Sequence, residues 1–175
     1  MLRRRDESIS PVKGRARTPA RQPSGRRRYR ERSFMGNEEF IGCFENDAIP
    51  ADSFHHADHV RLAFAYLCEY PVLRALEKFS GALKRFADLR GKAQLYNETI
   101  TCAYFFLIRE RMAGCEGVGW EDFARENSDL LCWKGGILDR YYCEGTLKSD
   151  LARVVFVLPD KCLELQAASD THRRR

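Results

Sequence analysis

The chain has 175 residues, 44% of them hydrophobic, which is about one domain with a core of its own. Its formal charge of +5 divides unevenly: residues 1–34 hold 12 Lys/Arg against 3 Asp/Glu, whereas residues 35–172 carry a net −7. An acidic body argues against a folded nucleic-acid-binding face, and no apolar run reaches the ~18–20 residues of a membrane span.

Residues 1–34 are rich in Arg, Pro, Ser and Gly and poor in large apolar groups. Such a segment cannot bury enough surface to offset the entropy of ordering it, so a disordered arm is expected. It reads as a basic arm for nucleic acid or acidic lipid, as a targeting peptide, or as an upstream extension of the coding sequence. Met35 directly precedes the first foldable segment, which favours translation from Met35. Cysteines stand at positions 43, 68, 102, 115, 132, 143 and 162, with no Cys-x-x-Cys pair. An odd, scattered set without a secretory segment reads as reduced thiols in a cytoplasmic protein. Cys102, inside an apolar run, reads as core packing rather than as a nucleophile.

From Asn37 a short helix is predicted, with Phe40, Ile41 and Phe44 on one face. The next helix, capped by Ser53 or Asp52, ends at Tyr70-Pro71 because proline restricts its predecessor. Its wheel puts Val60, Ala63, Phe64 and Leu67 on one side and Asp58, Arg61 and Glu69 on the other. Pro71 opens an amphipathic helix along Val72, Leu76, Phe79, Leu83 and Phe86 that closes at Gly91. Lys92–Tyr96 reads as a connector, and Asn97 as the cap of a helix reaching Ala113 or Gly114. Ile100 to Ile108 gives that helix no polar middle, so it is expected to be the central and most buried one, with Arg109 and Arg111 solvated at its end.

After the turn-rich Gly114–Gly119, helical segments are expected at 120–126, 129–133 and 137–142. Ser149 caps a last helix through Val157, although the β-branched Val154–Val157 run fits an extended segment too. A short packed tail follows Pro159, then disorder from Ala168. The expectation is an all-α, single-domain bundle of five to seven helices over residues 35–167, with a disordered basic arm at 1–34 and a disordered tail at 168–175.

Three of the four histidines fall in Phe54-His55-His56-Ala57-Asp58-His59-Val60-Arg61. His56 and His59, at i, i+3 on the apolar side, can share one ion or one proton network, with His55 near the edge. Half-buried rings bonded to backbone carbonyls are the structural alternative. Glu98, in the first turn of the apolar helix, either answers the helix dipole or faces the core rim. If the two helix starts meet, His56, His59 and Glu98 form a two-histidine, one-carboxylate set suited to iron(II), manganese or zinc. His55, Tyr96, Asn97 and Thr101 would then support it from behind. Asp58 reads as a dipole partner or a surface ion pair with Arg61, and Trp133, Tyr141 and Tyr142 as core aromatics or pocket lining.

The histidine stretch, followed by Tyr96-Asn97-Glu98-Thr99-Ile100-Thr101, resembles a family of small bacterial proteins to which no reaction is assigned. Their motifs read Phe-x-His-x-Asp-His-Leu-Arg and Tyr-His-Glu-Thr-x-Thr. The resemblance covers Met35 to Pro159 and includes Arg140-Tyr141-Tyr142 and Phe156-Val157-Leu158-Pro159-Asp160. Its matching positions are His56, Asp58, His59, Tyr96, Glu98, Thr99 and Thr101. Asn97 stands where the pattern has histidine, and asparagine is a weaker metal ligand.

Two functions therefore compete. One is divalent-metal binding or His/Glu acid–base chemistry on a small molecule. The other is a non-catalytic helical interaction module whose His/Glu cluster is a structural clamp. Nucleic acid enters only through residues 1–34.

Overall fold

Apolar spacing and local caps build seven α-helices and no strand among the described residues, 35–114 and 117–161 of the computed structural model. The expected arm at 1–34 and the tail at 168–175 lie outside them. The helices are α1 (Asn37–Glu45), α2 (His56–Glu69), α3 (Val72–Asp88), α4 (Glu98–Met112), α5 (Trp120–Glu126), α6 (Glu144–Lys148) and α7 (Asp150–Val154). Short 3₁₀ turns occupy Ala51–Ser53, Ala93–Leu95, Ser128–Leu131 and Ile137–Arg140. The fold is all-α. No helix among the described residues is long and apolar enough to cross a membrane.

The central helix is α2, not α4. It packs against α1, α3, α4 and the 3₁₀ turn Ser128–Leu131, and every residue from Val60 to Tyr66 is buried. The helical wheel sent Asp58 and Arg61 to solvent, yet they are only 1% and 5% exposed. Local bonds replace water for both. The Asp58 carboxylate accepts from the His55 backbone N–H (2.9 Å) and so holds the first turn of its own helix. The Arg61 guanidinium lies over the rings of Phe40, Phe64 and Trp120. It donates to Asn37 Oδ1 at 2.7 Å and to the Met35 carbonyl at 3.0 Å. A planar cation satisfied by oxygens and aromatic faces can leave solvent where a wheel predicts exposure. Asp58 and Arg61 both lie in the interior, so neither forms the expected pair at the surface.

Helix α2 starts two residues later than Ser53 suggests. Ala51–Ser53 turns as 3₁₀, Ser53 Oγ donates to the Pro50 carbonyl, and His55 is the N-cap residue. Between them Phe54 wedges against Phe44 and Phe86, with ring centroids 4.8 and 5.0 Å away. The helix ends at Glu69, and Tyr70 turns extended before Pro71 as expected. Tyr66 Oη donates to Glu45 Oε1 (2.7 Å), which ties the middle of α2 to the end of α1.

Helix α3 buries Ala75, Phe79, Ala82 and Leu83. Past its end Gly91 adopts φ +61°, the left-handed conformation that lets Lys92 N–H reach back to the Ala87 carbonyl. Asn97 caps α4, its Oδ1 accepting from the Ile100 N–H at 2.9 Å. Helix α4 is less enclosed than its composition implies, since Phe106 remains 41% exposed. Its outer face packs on α7 and the chain after it, where Phe106 touches Phe156. Arg111, expected to be solvated, instead donates to Asn127 Oδ1 and Asp129 Oδ2, both at 3.1 Å.

The C-terminal part differs from the expected run of helices. Segments 129–133 and 137–142 are only 3₁₀ turns, α6 is an additional helix, and α7 stops at Val154 rather than Val157. Ser149 does cap α7, accepting from the Ala152 N–H. From Val155 the chain extends, and Thr99 holds it. The wholly buried Thr99 hydroxyl donates to the Val155 carbonyl (2.8 Å) and accepts from the Val157 N–H (3.0 Å). Tyr142 Oη donates to the Val157 carbonyl at 3.0 Å. β-Branched residues prefer this extended form once side chains supply the backbone partners.

Candidate functional site

Residues from the starts of α2 and α4 line one cavity of about 410 Å3. Helix α2 contributes His56, His59 and Val60; α3 contributes Phe79, Leu83 and Phe86; α4 contributes Ile100, Thr101, Tyr104 and Ile108. The mouth is set by the exposed Ala51, Lys92, Leu95 and Trp133. Val60, Phe79, Leu83 and Ile108 are buried and form the inner end. A concave, mainly apolar space of this size with a few polar atoms is the usual form of a small-molecule site.

His56 and His59 are the polar centre of this wall, and they differ. His56 Nε2 lies 2.9 Å from the Leu130 carbonyl, so that nitrogen donates and the neutral ring keeps its lone pair on Nδ1. Its ring meets Tyr104 edge-on at 4.8 Å and Trp133 at 5.2 Å. Burial lowers its pKa, and the Leu130 bond only partly opposes this. The His59 ring leans on Phe54 at 4.5 Å. Burial, reinforced by repulsion from His56, lowers its pKa from 6.5 to about 4, so it is neutral at neutral pH. Among the described residues neither His59 nitrogen has a hydrogen-bond partner on the protein. Tyr104 is alike in this: its hydroxyl makes no hydrogen bond among the described residues, and burial pushes its pKa up to about 12.

Glu98 does not join the histidines. It is not part of the cavity lining. Its Oε2 accepts from Tyr96 Oη (3.1 Å) and pairs with Lys84 Nζ at 2.8 Å, while Cys102 Sγ lies 3.7 Å from Oε1. Burial alone would raise its pKa, but the Lys84 ammonium and Tyr96 hydroxyl together lower it. The expected set of His56, His59 and Glu98 is thus not assembled, and among the described residues no group of three or more His, Cys, Asp or Glu is placed to hold a metal ion. The donors present do not fit iron, manganese or zinc. One His56 nitrogen is occupied by a carbonyl, and the carboxylate is held by a lysine of α3.

Of the supporting residues, Tyr96, Asn97 and Thr101 do line the cavity. The Asn97 amide is spent on structure, since Nδ2 donates to the Leu147 carbonyl (2.8 Å) while Oδ1 caps α4. His55 is exposed and does not line the cavity. Cys102 is buried with a pKa raised to about 11 by burial and by Glu98, which makes it the inert core thiol expected.

Sequence reasoning missed Tyr104, Leu83, Phe86 and Lys92 as lining residues. A signal existed for the first. Asn97, Ile100, Tyr104 and Ile108 repeat at helical spacing on one face of α4. Such a stripe reads as core from sequence, because periodicity reports which face turns inward and not whether the interior is filled. Trp133, core aromatic or pocket lining by sequence, is 59% exposed at the mouth. Comparison of the chain with protein-family models, with curated proteins and with solved structures gave no match.

Proposed function

We propose that this protein binds a small, largely apolar organic molecule in the cavity between α2, α3 and α4. His59 and Tyr104 recognise one hydrogen-bonding group of that molecule. The observation that carries the reading is the His59 imidazole, neutral and without a protein partner on the wall of an apolar cavity. The ring opens into the cavity rather than onto a protein group, so a ligand entering there can bond to it. His59 acts here as a neutral donor or acceptor. As a proton-transfer base it would be poorly matched to neutral pH, since catalytic bases work best with pKa values near the operating pH.

His56, Asn97 and Thr99 serve the structural side of the same region by fastening α2 and α4 to the backbone around Leu130, Leu147 and Val155. A cytoplasmic setting fits the five described cysteines, all of which are free thiols. The two motifs argue for membership of the bacterial family; nucleic acid enters only through residues 1–34, if translation includes that arm.

The test uses para-propylphenol against para-propyltoluene, titrated calorimetrically into the full chain, its His59→Leu variant and an Ile100→Trp variant that fills the cavity. The phenol should bind wild type more tightly than its hydroxyl-free analogue. His59→Leu should remove most of that difference, and Ile100→Trp should abolish binding of both while the protein still melts cooperatively. Undiminished binding to a folded Ile100→Trp protein would falsify the cavity reading.

A further inference from the structure

We propose that the cavity selects an organic acid: an apolar body enters toward Phe79, Leu83 and Ile108, and a carboxylate stays at the mouth on Lys92. This rests on the small-molecule reading above and adds the charge class of the ligand. Three independent features of the lining support it. First, among the described residues no Asp or Glu lines the cavity, although residues 35–172 carry a net −7. An acidic body with an acid-free lining leaves one region where an anion touches no carboxylate, and the two behind it, Asp47 and Glu98, are paired with Arg90 and Lys84.

Second, the two cations of the lining have different duties. Arg90 is committed: its guanidinium stacks 3.6 Å above the Phe86 ring, bonds the Phe86 and Ile49 carbonyls at 3.1 and 3.2 Å, and pairs with Asp47. Lys92 is exposed at the mouth and, among the described residues, has no acidic partner. Third, the inner end cannot take the charge. Its walls are aliphatic and aromatic, and a carboxylate placed there would lose its hydration without an ionic partner. Apart from the hydrogen-bonding groups of His59 and Tyr104, the cavity is apolar at its inner end and cationic at solvent. An amphiphilic acid matches that gradient; a neutral molecule uses only the inner part, and an amine meets Lys92 as a like charge.

The experiment compares para-propylbenzoate, para-propylbenzamide and para-propylbenzylamine, which share one apolar body and differ in head charge. Each is titrated calorimetrically into the full chain at low salt. The benzoate should bind about five-fold more tightly than the benzamide, the upper range for a partly exposed ion pair, and the benzylamine weakest. Lys92→Gln should bring benzoate and benzamide to equal affinity, and Lys92→Glu should reverse the order of benzoate and benzylamine. Raising the salt should shrink the benzoate advantage. Equal binding of benzoate and benzamide to wild type, or a benzoate preference that survives Lys92→Gln, overturns the proposal and leaves the cavity reading standing. Failure of all three compounds to bind, together with failure of para-propylphenol, overturns both.

Discussion

Replacing His59 by leucine should remove a defined part of the protein's acid sensitivity. In the folded protein the ring's pKa is lowered from 6.5 to about 4, first by burial and then by the neighbouring His56. The unfolded chain, with the ring in water, takes up its proton near 6.5, whereas the folded protein resists until about 4. A depressed folded pKa contributes stability that is whole above the unfolded value and is lost as pH falls through the folded one. At about 1.4 kcal/mol for each pH unit, the interval is worth about 3 kcal/mol, against a typical total of about 5–15. Glu98 and Asp160, whose carboxyl pKa values are also lowered, add their own losses at lower pH. The wild-type-minus-variant difference cancels them, and it leaves the smaller effect of His56 in both proteins.

Urea unfolding across a pH series measures this directly. At neutral pH His59→Leu should be as stable as wild type or more so, because an imidazole without a partner gives way to an aliphatic group of similar size. Between about 6.5 and 4 the wild type should lose about 3 kcal/mol more than the variant, and below that the gap should stop widening. The His59 ring resonances should titrate at the acid end of that window. Parallel pH profiles for the two proteins, or a ring that titrates near its ordinary value, would refute the burial argument.

Gly136→Ala should destabilise the protein by about 1–3 kcal/mol through overpacking, because a Cβ there would sit 2.7 Å from the Cys132 carbonyl and 2.9 Å from the Tyr104 hydroxyl. Since Tyr104 and Trp133 line the cavity, Trp133 fluorescence should shift as well; an unchanged melting curve and spectrum would contradict the contact. Thr99→Val removes the donor and acceptor that hold Val155 and Val157. It should cost about 2–3 kcal/mol and make the chain after Val154 more susceptible to limited proteolysis, whereas unaltered cleavage there would remove Thr99 from that role. Glu98→Gln breaks a partly exposed pair with Lys84, so a loss of about 1 kcal/mol or less is expected in thermal unfolding. The affinity for para-propylphenol should stay at the wild-type value, and a large drop would return Glu98 to the site.

The class of fold and most helix boundaries follow from local chemistry that a sequence carries openly. Phe40, Ile41 and Phe44 recur at helical spacing, Tyr70-Pro71 stops α2, and Asn97 caps α4 because its side chain reaches an N–H three residues away. The histidine stretch could likewise be singled out as lying on an inward face. Other features depended on partners distant in the chain. Arg61 is buried because Phe40, Trp120, Asn37 and Met35 happen to surround it. Val155 is extended because Thr99 supplies the bonds a further helical turn would have made. Glu98 stands apart from the histidines because Lys84, on a third helix, claims its carboxylate. Side-chain periodicity determined which residues turn inward; whether the interior they face is filled, empty or charged was decided only when three helices met at their side chains, a relation no single segment encodes.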